Sequence, residues 1–141
     1  MSEYREKQKD EVLIIDDEPS VADALKMILE DSGYRVSTAL TGRDGIEKAR
    51  RGQFCLTITD LGLTDMTGFD VINAICLDKP QSLFIIITSS SSQDVIAEAR
   101  SCGAAGFLLK PFLPSEILQL ITVTLANQRS SGDRESLRRP A

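Results

Sequence analysis

Histidine is absent from all 141 residues. Any mechanism that needs an imidazole base, nucleophile or metal ligand within this chain is therefore excluded. Long apolar runs are missing as well. The longest, Val12 to Ile15 and Leu83 to Ile87, fall far below the ~20 residues of a membrane-spanning helix, and Met1 to Asp10 has no signal-peptide core. The expectation is a soluble, cytoplasmic protein without a membrane partner. Cysteine is scarce and odd in number: Cys55, Cys76 and Cys102 are unclustered, so no disulfide framework or zinc site is indicated. They read as small buried or half-buried hydrophobes. Basic charge is also short: the formal net charge is −5, and residues 11–127 hold nine basic groups against sixteen acidic ones. That body lacks the footprint for a phosphate backbone, so direct binding of nucleic acid is not expected.

What is present fits one domain, since 141 residues leave no room for a second folded unit of ordinary size. Residues 1–10 are polar and aperiodic and read as a loose arm, 11–127 as the folded body, and 128–141 as a disordered tail or linker. Val12 to Ile15 is a buried strand closed by Asp16, Asp17 and Glu18. Val21, Ala24, Leu25, Ile28 and Leu29 follow at helical spacing until Gly33. Tyr34 to Ala39 is a more polar strand suited to a sheet edge, and Thr41 caps a helix to Arg51 whose thin apolar face is Ile46 and Ala49. A third strand around Ile58 leads to a short helix over Asp70 to Leu77. Leu83 to Ile87 is a fourth strand, and Ser92 caps a helix carrying Val95, Ile96, Ala99 and Cys102. A brief fifth strand, Phe107 to Leu109, precedes a last helix from Pro114 to Asn127 with Ile117, Leu120, Ile121 and Leu125 inward. Five strands alternating with five helices, three of the strands wholly apolar, predict an α/β fold: a doubly wound parallel sheet with helices on both faces. The flavodoxin-like order 2-1-3-4-5 suits a polar second strand at one edge and a short fifth at the other.

The organising stretch is Cys55 to Asp70, where an apolar strand ends on Asp60 and a turn-rich loop with Gly62, Thr64, Asp65 and Gly68 takes over. In a parallel sheet all carboxyl ends of the strands share one edge, so Asp16, Asp17, Asp60, Thr88 and Lys110 are expected to converge there. Three carboxylates in one cup repel unless a cation joins them. An oxygen-only ligand set without His or Cys suits Mg²⁺, with Mn²⁺ as an acceptable substitute. With the repulsion offset, Asp60 is placed to act as a nucleophile toward a phosphoryl group, with Lys110 and Thr88 on its oxygens.

Four segments in this order, I-I-D-D-E at Ile14 to Glu18, D-L-G-L-T-D-M-T-G at Asp60 to Gly68, the hydroxyl of Thr88, and K-P-F at Lys110 to Phe112, resemble the receiver domain of two-component response regulators. The resemblance implies that Asp60 is the phosphoacceptor, that Asp17, Asp60 and the Gly62 backbone carbonyl bind Mg²⁺, and that Asp16 acts mainly through a metal-bound water. It implies that Thr88 and Lys110 contact the phosphoryl group, that Phe107 is the switch aromatic, and that Lys110–Pro111 is a cis peptide. The donor it implies is a histidine kinase, a histidine phosphotransfer protein or a small molecule. The output is an unidentified protein or domain that meets the last helix, the fifth strand and the helix before it. Exposed Glu116, Gln119, Thr122 and Thr124 supply no salt-bridge code for a homodimer on that face, although one is allowed.

Three departures from the family pattern stand out. Thr64 replaces a usual proline, Ser89 replaces a smaller residue at the mouth of the site, and Phe107 lacks a phenolic hydroxyl. Alone, each acid reads as a solvated or capping residue and Lys110 as a surface lysine; it is their order that carries the reading. An Asp-nucleophile phosphatase is the weaker alternative, because Gly62 stands where its second acid would be. A receiver-like interaction module that is never phosphorylated would have lost an acid, the acceptor or the lysine, and none is missing.

Overall fold

The computed structural model describes residues 11–138, with side chains described to residue 128; the loose arm expected at 1–10 lies outside the described residues. Five strands, β1 (Glu11–Ile15), β2 (Arg35–Ala39), β3 (Leu56–Asp60), β4 (Phe84–Thr88) and β5 (Gly106–Leu109), alternate with five helices. These are α1 (Pro19–Asp31), α2 (Gly42–Arg51), α3 (Gly68–Asp78), α4 (Gln93–Ser101) and α5 (Pro114–Arg138). The strands form one parallel sheet in the order β2-β1-β3-β4-β5. The polar β2 does take an edge, and the wholly buried β3 and β4 lie inside.

The two-residue period of the strands divides the core. Val12, Ile14, Leu56, Ile58, Ile85 and Ile87 face α1 and α5, where Leu25, Leu29, Ile117 and Ile121 meet them. Leu13, Ile15, Phe84 and Ile86 face the other way, onto Ala49, Val71, Ile72, Ile75 and Ala99 of α2, α3 and α4. Each fully buried Leu or Ile contributes roughly 1.5–3 kcal/mol, so the sheet is held from both sides.

Helix faces differ from the expected ones in detail. Ala22 rather than Ala24 is buried on α1, because the inward stripe follows Leu25 and Leu29 back by one turn. On α2 the buried residues are Gly42, Gly45 and Ala49, with Ile46 half-buried; Gly45 faces Ile15 of β1, and Gly42 faces Met66 and Val71. Thr124 lies inward on α5, 4 % exposed, on the stripe of Ile117 and Ile121, so it is not part of the outer face. The helix runs past Asn127 to Arg138, and residues 139–141 of the expected tail lie outside the described residues.

The loop joining β3 to α3 is packed against its own strand. A Cβ at Gly68 would meet the Asp60 carbonyl oxygen at 2.5 Å and the Leu61 Cα at 3.0 Å, whereas a Cβ at Gly62 meets nothing within 4 Å. Backbone cannot yield as a flexible side chain does. Gly68→Ala is therefore expected to cost about 1–3 kcal/mol in urea unfolding, and Gly62→Ala less than about 0.5 kcal/mol. Equal midpoints for the two variants would contradict this packing.

Candidate functional site

Strand ends deliver the acids. β1 runs directly into Asp16, Asp17 and Glu18, and the β1–β3 pairing of Ile15 with Thr59 sets Asp60 alongside them. One carboxylate oxygen from each of Asp16, Asp17, Glu18 and Asp60 lies within 4.8 Å of the others. Glu18 is the member that the sequence reading left out of the cluster, although it stands next to Asp17 in the same acidic run. From β5, Lys110 reaches back across the sheet edge; its Nζ donates to Asp16 Oδ2 at 2.9 Å and to Asp60 Oδ2 at 3.0 Å. Glu18 stands farther off at 3.9 Å.

Burial makes these contacts matter. Asp16 is fully buried, and the Lys110 and Asp60 side chains are only 15 % and 10 % exposed. Burial pushes the Asp16 carboxyl above its ordinary range, and the charge of Asp60 adds to this. The Glu18 amide and Lys110 oppose the shift without cancelling it. For Lys110, burial disfavours the ammonium, yet its hydrogen bonds to Asp16 and Asp60 outweigh burial and raise its pKa. One ammonium against four carboxylates leaves the cup with an excess of negative charge.

Polar contacts orient the acids. Asp16 Oδ1 accepts the Glu18 amide at 3.0 Å, and Asp60 Oδ1 accepts the Gly62 amide at 3.3 Å. An oxygen-only donor set of carboxylates with excess negative charge fits a hard divalent cation. Beside the cluster is a cavity of about 520 Å³ bordered by Asp60, Gly62, Thr88, Ser89 and Lys110. Thr88 is buried, and its Oγ1 accepts the Ser90 amide at 3.1 Å, which leaves its own O–H free to donate into that space.

Phe107 is placed apart. It lines a separate hollow of about 280 Å³ between α4 and β5, with Ile96 and Ala99. The peptide Lys110–Pro111 is cis. At the opposite end of the sheet a hollow of about 470 Å³, lined by Phe54, Lys79 and Gln81, holds no such convergence of acids. Among the described residues, no helix is long and apolar enough to cross a membrane.

Residues 12–122 match the family model described as response regulator receiver domain. The chain is 32 % identical over 111 residues to the chemotaxis protein CheY of Thermotoga maritima, covering 78 % of this chain and 92 % of that protein. It is 31 % identical to the transcriptional regulatory protein ZraR of Klebsiella oxytoca over 86 % of this chain and 27 % of ZraR, so it spans about a quarter of that relative's length. The solved CheY-like receiver domain protein of Methanospirillum hungatei superposes with a TM-score of 0.83 at 29 % identity, covering 87 % of this chain and 98 % of that one. Strand order, the acidic edge and the matched span agree: this chain belongs to the response regulator receiver domain family.

Proposed function

We propose that the chain is a phosphoacceptor switch in which Asp60 takes a phosphoryl group from a phosphohistidine on a partner histidine kinase or phosphotransfer protein, or from a small-molecule donor. The observation that carries this reading is the Asp60 carboxylate at the end of a central strand, bonded to Lys110 inside a group of acids within 4.8 Å of one another. Asp16, Asp17, Asp60 and the Gly62 carbonyl would hold Mg²⁺ or Mn²⁺. Bound there, the cation would offset the acids' repulsion and the charge that develops on the phosphoryl oxygens.

The side chains then divide the work. An Asp60 carboxylate oxygen attacks phosphorus, the P–N bond to the imidazole breaks, and the departing nitrogen is protonated from solvent. Lys110, already directed at Asp60, neutralises the transferred group. Thr88 donates its free O–H to the same oxygens. Ser89 sits at the mouth of the cavity and narrows donor access. The product adds about −1.5 to −2 charges beside Asp60. Thr88 moves toward that charge, and Phe107 fills the space released next to its hollow. The face of α4, β5 and α5, where Leu109 and Val123 are exposed, is thereby re-formed for an output partner or for a second copy of the chain. The chain acts as an enzyme only in its own phosphorylation and dephosphorylation, and cytoplasmic placement belongs to the same proposal.

Three outcomes are expected. Incubated with acetyl phosphate and Mg²⁺, the parent gains one hydroxylamine-labile phosphoryl group by intact mass, and Asp60→Asn gains none; equal labelling of both would move the acceptor elsewhere. Asp16→Asn raises the thermal midpoint in EDTA. A carboxyl held above its ordinary pKa by burial loses stability as pH rises through that folded-state value, and the neutral amide removes this loss at pH 7. Mg²⁺ then raises the parent's midpoint and leaves the variant's nearly unmoved; a lower midpoint for the variant in EDTA would refute the charge-excess argument. Finally, exposed Gly62 and small Ser90 leave water a path to the acyl phosphate, so Gly62→Met is expected to lengthen its half-life. A parent phosphoprotein surviving for many hours would contradict the open path.

A further inference from the structure

The segment after Asp60 has a firm beginning and a firm end. Leu61 N donates to Ile87 O at 3.3 Å, Gly68 N donates to Leu61 O at 2.9 Å, and Gly62 forms an isolated antiparallel bridge with Thr67. Thr67 and Asp70 close the loop onto α3 as a reciprocal capping box. Between them, Leu63 and Met66 lean on the second core, and one polar group ties the segment to another element. Asp65 Oδ1 accepts the Gly42 amide at 2.8 Å, and Asp65 Oδ2 accepts the Arg43 amide at 2.9 Å.

Those amides need an acceptor from outside their helix. The first N–H groups of a helix have no intrahelical partner, and the positive end of the helix dipole favours a carboxylate. Thr41 supplies its side chain to the Asp44 amide at 3.0 Å, and the first intrahelical bond runs from Gly45 N to Thr41 O. That leaves Gly42 and Arg43, and Asp65 takes both. The two amides hold the Asp65 carboxyl below its ordinary range, so it is ionised throughout neutral conditions. Contact is close: a Cβ at Gly42 would lie 2.5 Å from Met66 Cγ and 2.8 Å from Met66 Sδ.

The helix that receives Asp65 is itself fixed. At its far end Lys79 Nζ donates to Ala49 O at 2.7 Å and also to Gly52 O, and Arg50 Nε meets Asp78 Oδ2 at 2.7 Å. Helices α2 and α3 are thus stapled at both ends. Thr64, next to Asp65, places no ring on its own φ, and among the described residues its amide donates no backbone hydrogen bond. With no ring at that position, the Asp65 carboxylate is the polar group that ties the middle of the loop to α2.

We propose that Asp65 is a positioning residue for the metal site: by clamping the loop to the start of α2 it holds Gly62 beside Asp60 and so sets the affinity for a divalent cation. This rests on the reading that the Gly62 carbonyl is a ligand. Asp65 touches no member of the acidic cluster and acts only through the chain between.

The test is Mg²⁺ titration calorimetry on the full chain, with the thermal midpoint in EDTA and amide exchange at Gly42 and Arg43 measured in parallel. Asp65→Ala is expected to weaken Mg²⁺ binding by about tenfold, the scale on which indirect partners tune metal sites. Asp65→Asn, which keeps one acceptor oxygen, is expected to fall between Asp65→Ala and the parent. Adding Thr64→Pro to Asp65→Ala restores most of the affinity, while Gly42 and Arg43 stay unprotected and the midpoint stays low. Unchanged Mg²⁺ binding in both single variants, with only the midpoint lowered, would reduce Asp65 to a helix cap and overturn the proposal. Weakened binding that the proline does not recover would assign the effect to lost charge and overturn it too. A parent that binds no Mg²⁺ would instead bring down the metal reading on which it rests, a result distinguishable from either.

Discussion

The contact on which the site depends is the Lys110 ammonium held between Asp16 and Asp60. It spans the sheet edge from β5 to β1 and β3, joining residues that are remote in sequence. A buried ion pair of this kind is a poor source of stability, because removing charges from water costs several kcal/mol that the Coulomb attraction only partly offsets. Here the balance is worse, since four carboxylates face one ammonium and Asp16 is fully buried. The fold tolerates this because β1 and β4 are continuous, buried apolar strands, with Val12 to Ile15 and Phe84 to Ile87 at or below 1 % exposure. Stability generated along the strands supports an unfavourable cluster at their ends. Such a cluster responds strongly to any new charge, positive or negative, that enters it.

Much of this was legible without coordinates, for physical reasons that can be named. Continuous apolar runs in β1 and β4, and the β-prone Leu56 to Thr59, require cover on both faces, and a parallel sheet then forces Asp16, Asp17, Asp60, Thr88 and Lys110 to one edge. Register did not need to be known for that convergence. What escaped depended on rotation and on long-range pairing. Ala22 and Ala24 are equally plausible beside Leu25 until the direction of the inward stripe is fixed. Thr124 looked like an outer residue because a hydroxyl carries no sign of which side it faces. Asp65 read as a turn residue, since its partners, the amides of Gly42 and Arg43, belong to the backbone and leave no mark in the side-chain pattern.

The two flanks of Asp60 are built differently, and this difference gives the proposed switch a direction. On one flank, α3 buries Val71, Ile72 and Ile75, begins on a capping box and is tied to α2 by Lys79 and the Arg50–Asp78 pair. On the other, α4 buries only Ala99, β5 is short and half-buried, and a hollow of about 280 Å³ lies between them. Regions with few buried apolar contacts sit at the low end of local stability, and moving elements are drawn from that end. A charge added at Asp60 acts on both flanks alike. In the proposed switch the stapled flank would resist, so displacement would go to the side of Thr88, Phe107 and α4, where few contacts have to be broken. On that proposal the Asp65 clamp and the loose α4 would be complementary: the rigid half would keep the site in register while the pliant half would report its state.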